Sequence, residues 1–163
     1  ILDWSLEWGW DPECGGIFYF RDCRNKPCEQ YEHDMKLWWP HNETIYARLL
    51  AHAMTGEARY AEWHEKVHRW AYDHFPDRKN GEWFGYLHRD GSVSSPLKGN
   101  MWKGPFHLPR MQLYCWKLLE QVRRGEVEAL RQEPQHFAAI PASSELRGHR
   151  CARQRPHAET GRA

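Results

Sequence analysis

Two consecutive stripes of apolar residues constrain the fold of this chain more than anything else in it. Ile45, Leu49 and Ala53 recur at helical spacing, with Leu50 and Met54 beside them, and Gly56 follows as a helix C-cap. From about Glu57 to His74, Tyr60, Trp63, Val67, Trp70 and Ala71 share one face, while Glu62, Lys66, Arg69 and Asp73 share the other; Pro76 closes the run. Two amphipathic helices joined by so short a link can bury their stripes only as an antiparallel hairpin. A third stripe, Met111, Tyr114, Cys115, Leu118 and Val122, predicts another helix over 108–122, with Pro109 at its first position.

The intervening segments are short and extended. Ile17-Phe18-Tyr19-Phe20 reads as a strand of a small hairpin, after the turn residues Asp11-Pro12 and Gly15-Gly16. Trp83 to Leu87, Asp90-Gly91 and Val93 carry a second hairpin signal. The pattern turns helical again from about Gln30, and Pro40 suits a first helical turn.

All ten Trp of the 163 residues precede Val122, so an aromatic core or a stacking cavity is confined to that part. Residues 123–163 hold eight Arg, no Lys and no sustained periodicity, and read as a disordered, Arg-rich tail. A net charge of +1 speaks against a nucleic-acid partner held by bulk electrostatics, and no apolar run is long enough to span a membrane. Five Cys without a C-x-x-C pair suit reduced thiols in the cytoplasm.

Three places could carry chemistry. His107 and Arg110 stand one helical turn apart at the start of the third helix, where the dipole favours a neutral imidazole; a histidine packed against an aromatic core fits the same spacing. Trp38-Trp39-Pro40-His41-Asn42-Glu43 could wall a sugar-stacking cavity with polar groups beside it, or simply build the core. Glu82 and Trp83 share that ambiguity. His64-Glu65-Lys66-Val67-His68 matches H-E-x-x-H, the spacing of a zinc hydrolase, but Lys66 puts a charge inside the motif and no third ligand stands out. Asn42-Glu43-Thr44 matches a glycosylation sequon within the first turns of a helix.

In their order and spacing, Trp8-Gly9-Trp10-Asp11-Pro12, Gly15 to Phe20, Met35 to His41, Gly81 to Leu87 and Lys103 to Arg110 closely resemble the C-terminal part of the N-acylglucosamine 2-epimerase (renin-binding protein) family. The resemblance covers about residues 8–121. It implies an all-α fold, the (α/α)6 barrel or toroid, with only its C-terminal portion present (residues 1–122) and short β-hairpins between helices. It implies interconversion of N-acetyl-D-glucosamine and N-acetyl-D-mannosamine by proton removal and return at C2. His107 would be one of two acid/base histidines, Arg110 a cation for the enediolate, and Glu43 an orienting or hydroxyl-binding group. Trp38, Trp39, His41, Glu82, Trp83 and Lys103 would bind substrate, and no metal is implied. No cofactor is required for the chemistry; ATP as an allosteric activator, a homodimer, an association with renin and a cytoplasmic location complete the expectation. The family's other histidine belongs to an H-P-G-H-type motif that this sequence lacks, so these residues alone are expected to be inactive and prone to associate through uncovered helices. A non-catalytic fragment that binds renin or full-length subunits is the alternative.

Overall fold

The computed structural model describes residues 1–127, which form four helices and one minimal sheet. The helices are α1 (Leu2–Gly9), α2 (Trp38–Thr55), α3 (Ala58–His74) and α4 (His107–Arg124). Strands β1 (Lys36–Leu37) and β2 (Tyr86–Leu87) pair antiparallel, Lys36 opposite Leu87 and Leu37 opposite Tyr86.

Helix α2 is the axis of the assembly, because both α3 and α4 pack against it. Its stripe of Ile45, Leu49 and Ala53 is buried, as are Val67 and Ala71 of α3 and Leu108, Met111, Cys115 and Leu118 of α4. The hairpin expected from the spacing is present. Gly56 sits at φ 73° and donates its N–H to the His52 carbonyl, a left-handed cap that a side chain would strain. Phe75, fully buried just past α3, stacks on Trp83 at 5.4 Å between ring centroids. Burying one such side chain contributes roughly 1.5–3 kcal/mol. Arg48, also fully buried, ties α1 to α2: it donates to Asp3 at 2.8 Å and to the Leu2 carbonyl.

Several expectations change. The helical pattern does not begin near Gln30; α2 starts at Trp38, and Pro40 is its third residue. The carbonyls of His33 and Met35 accept from Phe20 and Tyr19 N–H, so the preceding segment spends its hydrogen bonds laterally. Ile17–Phe20 is accordingly no hairpin strand: it makes a single bridge to Trp10 and then runs beside residues 33–35. The hairpin expected at Asp90-Gly91 does form, with Leu87 bridged antiparallel to Val93 and His88 N–H donating to the Ser92 carbonyl, and Tyr86–Leu87 in addition takes Lys36–Leu37 as a strand partner. Helix α4 begins at His107, two residues earlier than Pro109 would set it, since Arg110 N–H already donates to the Phe106 carbonyl. It continues past residue 122 to Arg124, where Gly125 at φ 75° caps it and Val127 packs on the core. The rest of the proposed tail lies outside the described residues.

Candidate active site

The first turns of α2 and α4 converge, and they bring Glu43 to His107 and Arg110, more than sixty positions further along the chain. Glu43 of α2 offers one carboxylate oxygen to two donors of α4: Nδ1 of His107 at 2.7 Å and Nη2 of Arg110. Arg110 also lies over the Phe106 ring, 4.8 Å from its centroid. With Nδ1–H donated to Glu43, the neutral imidazole carries its lone pair on Nε2.

His107 forms part of the wall of a cleft of about 560 Å³. Trp38 stands edge-on to its ring at 6.2 Å and Trp39 lies tilted at 5.9 Å. Tyr19, Phe20, Leu37, Tyr86 and Trp102 complete the aromatic and apolar wall, and Gln30 and Glu32 stand at its polar side. Most of this lining is unmarked in the sequence. Gln30 and Glu32 reach the cleft because residues 33–35 are zipped to 19–20. Tyr86 reaches it because β2 pairs with β1, immediately before Trp38. Trp102, five positions before His107, was the one member that proximity to the histidine could have suggested.

Of the residues singled out from sequence, Glu43, His107 and Arg110 meet, and Trp38, Trp39 and His107 line the cleft. The other four stand elsewhere. His41 is fully buried in the core and does not line the cleft; its Nε2 accepts Ile17 N–H at 2.9 Å and its Nδ1 donates to the Leu37 carbonyl at 2.7 Å. It stacks on Trp70 at 4.9 Å and meets Phe75 edge-on. Burial pushes its pKa down to about 3, so it is a neutral core histidine. Trp83 is buried between Phe75 and Tyr72. Lys103, buried, donates to Glu82 at 3.1 Å and to the Lys98 carbonyl at 2.8 Å, with its stem over Gly85; a Cβ there would lie 2.6 Å from Lys103 Cδ. Glu82 and Lys103 thus fasten the loop between β2 and α4 and do not line the cleft.

A second polar centre has no signature in the sequence pattern. Asp11 and Lys36 are both fully buried and paired at 3.0 Å. Arg89 donates Nε to Asp11 at 2.8 Å and Nη2 to Glu13 at 2.9 Å. Burial alone would raise the Asp11 pKa, but Arg89, Lys36 and the Glu13 and Cys14 amides outweigh it and hold the carboxyl far below the usual carboxylate range. Lys36 directly precedes Leu37 and Trp38, so this network sets the register of the strand that feeds the cleft.

The H-E-x-x-H motif does not assemble a metal centre. His64 Nδ1 is engaged by the Ile45 carbonyl at 2.9 Å, His68 stacks on Tyr72, and Glu65 pairs with Arg69. Among the described residues no group of three or more His, Cys, Asp or Glu side chains comes together to hold a metal. Asn42 of the sequon is fully buried within α2, out of reach of a glycosylating enzyme. No described helix is long and apolar enough to cross a membrane.

A solved D-mannose isomerase matches this fold with a TM-score of 0.63 at 20% identity, over 73% of this chain and 30% of that one. A cellobiose 2-epimerase from Spirochaeta thermophila DSM 6192 matches with a TM-score of 0.50 at 31% identity, over 54% of this chain and 22% of that one. The described helices are therefore a portion of the (α/α)6 barrel shared by sugar isomerases and epimerases. Residues 1–107 match the N-acylglucosamine 2-epimerase (GlcNAc 2-epimerase) family, and the chain belongs to it. The N-acylglucosamine 2-epimerase of Bos taurus is 43% identical over 114 residues, 70% of this chain and 27% of that protein. The Homo sapiens protein of that name is 42% identical over 111 residues, 68% of this chain and 26% of that protein. The chain thus spans about a quarter of the length of these relatives.

Proposed function

We propose that residues 1–127 form one wall of the active site of an N-acylglucosamine 2-epimerase acting on N-acetyl-D-glucosamine and N-acetyl-D-mannosamine. The observation that carries the reading is the single Glu43 oxygen shared by His107 and Arg110 beside a tryptophan-walled cleft. Epimerisation at C2 requires ring opening, removal of the proton next to the C1 carbonyl, and return of a proton to the other face. His107 Nε2, its tautomer fixed by Glu43, removes or returns that proton on one face. Arg110 acts through Glu43 as a positioning residue, a narrower role than direct contact with the enediolate. Trp38 and Trp39 offer flat apolar faces to the C–H surface of the sugar, while Gln30 and Glu32 supply polar contacts. The reaction involves no net redox change and calls on no cofactor for it.

Two faces need two groups, and the cleft presents one imidazole. The second base belongs to a part of the barrel beyond these residues, so the isolated chain turns over no substrate. The barrel portion runs through the end of α4 at Arg124, and the Arg-rich segment that follows has no role in the chemistry. Activation by ATP, a homodimer, an association with renin and a cytoplasmic location extend the proposal, supported by membership of the family. Exposed Trp116, Leu119 and Trp4 favour a second reading, a chain that binds other subunits without turnover.

The test places residues 1–127 within the Bos taurus relative in exchange for the matching segment and assays epimerisation of N-acetylmannosamine. His107→Ala in that chimera should lower turnover by roughly 10²–10⁴-fold with the fold intact. Near-normal turnover would overturn the assignment, as would robust epimerisation by the 163 residues alone.

A further inference from the structure

The chain builds one loop twice. After α1, Asp11 N–H donates to the Gly16 carbonyl and Gly15 N–H to the Asp11 carbonyl, while Trp10 bridges Ile17. After α3, Asp77 N–H donates to the Glu82 carbonyl and Gly81 N–H to the Asp77 carbonyl, while Pro76 bridges Trp83. Both loops end on two left-handed residues: Gly15 and Gly16 at φ 72° and 71°, Gly81 and Glu82 at φ 74° and 62°. The first loop meets that demand with Gly-Gly, the second with Gly-Glu. Among the described residues, Asn25 and Glu82 are the only ones other than Gly at positive φ, and Asn visits this region far more readily than Glu. A side chain kept where the backbone favours Gly points to a use for that side chain.

The Glu82 carboxylate is directed at the segment that leads into His107. Its Oε1 accepts from Nζ of the buried Lys103 at 3.1 Å, and the same Nζ donates to the Lys98 carbonyl at 2.8 Å. Lys98 in turn donates to the Gly81 carbonyl at 2.8 Å and pairs with Asp77 at 2.5 Å. Both ends of the 98–103 turn are therefore clamped to the 77–82 loop. Within the turn, Asn100 Oδ1 accepts from Trp102 N–H at 2.9 Å and Lys103 N–H at 2.7 Å, and its Nδ2 donates to the Tyr86 hydroxyl at 3.2 Å. Trp102 lines the cleft with Tyr86 and His107 although it is 78% exposed. So exposed a ring is held little by packing, and the backbone that carries it decides where it stands. Resting on the epimerase reading proposed above, we infer that Glu82 is a positioning residue for sugar binding. Its grip on Lys103 keeps the 98–103 turn closed and sets Trp102 in the cleft wall before substrate arrives. Such preorganisation lowers the cost of binding and leaves the barrier to proton transfer where it was.

The test labels the full 163-residue chain with fluorotryptophan and identifies the Trp102 fluorine resonance by its loss in Trp102→Phe. Glu82→Gly is combined with Lys103→Met, so that the strained backbone is relieved and no buried ammonium is orphaned. The thermal midpoint of this double variant should equal or exceed the parent's. Its Trp102 resonance should nonetheless narrow and move to the position of free fluorotryptophan. Glu82→Gln, which keeps an oxygen for Lys103, should leave that resonance near its parent position. In the Bos taurus chimera described above, the double variant should raise KM for N-acetylmannosamine roughly fivefold and keep kcat within about twofold, the pattern of lost uniform binding. An unmoved Trp102 resonance overturns the inference, as does an unchanged KM in an active chimera. A thermal midpoint that falls together with the resonance makes Glu82 a support of the fold and overturns it equally. A parent chimera without epimerisation removes the epimerase reading, and the resonance alone then decides whether Glu82 holds Trp102.

Discussion

His41 provides a measurement of how the core is built. Its Nε2 accepts the Ile17 N–H and its ring is stacked on Trp70 with no exposure to solvent. Protonation would turn Nε2 from acceptor to donor against another donor, and would bury a charge. The folded pKa of about 3 lies well below the roughly 6.5 of a histidine in an unfolded chain. The unfolded state therefore takes up a proton that the folded state refuses, and stability falls as pH drops from about 6.5 toward about 3. For one group the slope is roughly 1.4 kcal/mol per pH unit, so about 2 kcal/mol is lost between pH 6.5 and 5. His41→Gln keeps a donor and an acceptor but cannot titrate. Urea unfolding followed by tryptophan fluorescence at pH 7, 6, 5 and 4 should show the parent ahead of the variant at pH 7. That lead should shrink at about the stated slope. Parallel curves for the two proteins would refute the buried, neutral assignment.

Other outcomes follow from contacts already described. Asp11→Ala leaves the Lys36 ammonium buried without its partner and should cost roughly 3–5 kcal/mol; pairing Asp11→Leu with Lys36→Met should recover most of that loss in urea melts. Because Asp11 is held below the usual carboxylate range, its contribution is full above about pH 4 and is lost progressively as pH falls from there toward its depressed folded value. Gly91→Ala should destabilise by roughly 1–3 kcal/mol in thermal melts, since its φ is 87° and the new Cβ would lie 2.3 Å from His74 Cδ2. Cys115, its thiol pushed up to about 11 by burial, should react with a thiol reagent at pH 8 far more slowly than exposed Cys14 and Cys23.

The helices were legible because their evidence is local. Ile45-Leu49-Ala53 and Val67-Ala71 repeat at the helical period, and Gly56 and Pro76 punctuate them. The sheet was not, because two-residue strands have no periodicity and β1 meets β2 across about fifty residues of chain. Lys36 illustrates the difficulty: a lysine reads as surface until Asp11 arrives from a distant turn to neutralise it. His41 reads as a site residue beside two tryptophans, and only the arrival of the Ile17 N–H reveals its duty in the core. Glu43, His107 and Arg110 could each be nominated from sequence, but their common oxygen is a product of how α4 lies on α2.

Trp38 belongs to two populations at once. It is 2% exposed, a member of the hydrophobic core, yet it also borders the cleft. That part of the cleft wall is therefore the reverse side of the protein's own foundations, so reshaping it disturbs the packing that holds the helices together. Gln30, Glu32 and Trp102 are exposed residues at the same cleft and carry no such burden. A change at Trp38 therefore costs core packing as well as cleft shape, whereas a change at Gln30, Glu32 or Trp102 alters the cleft alone.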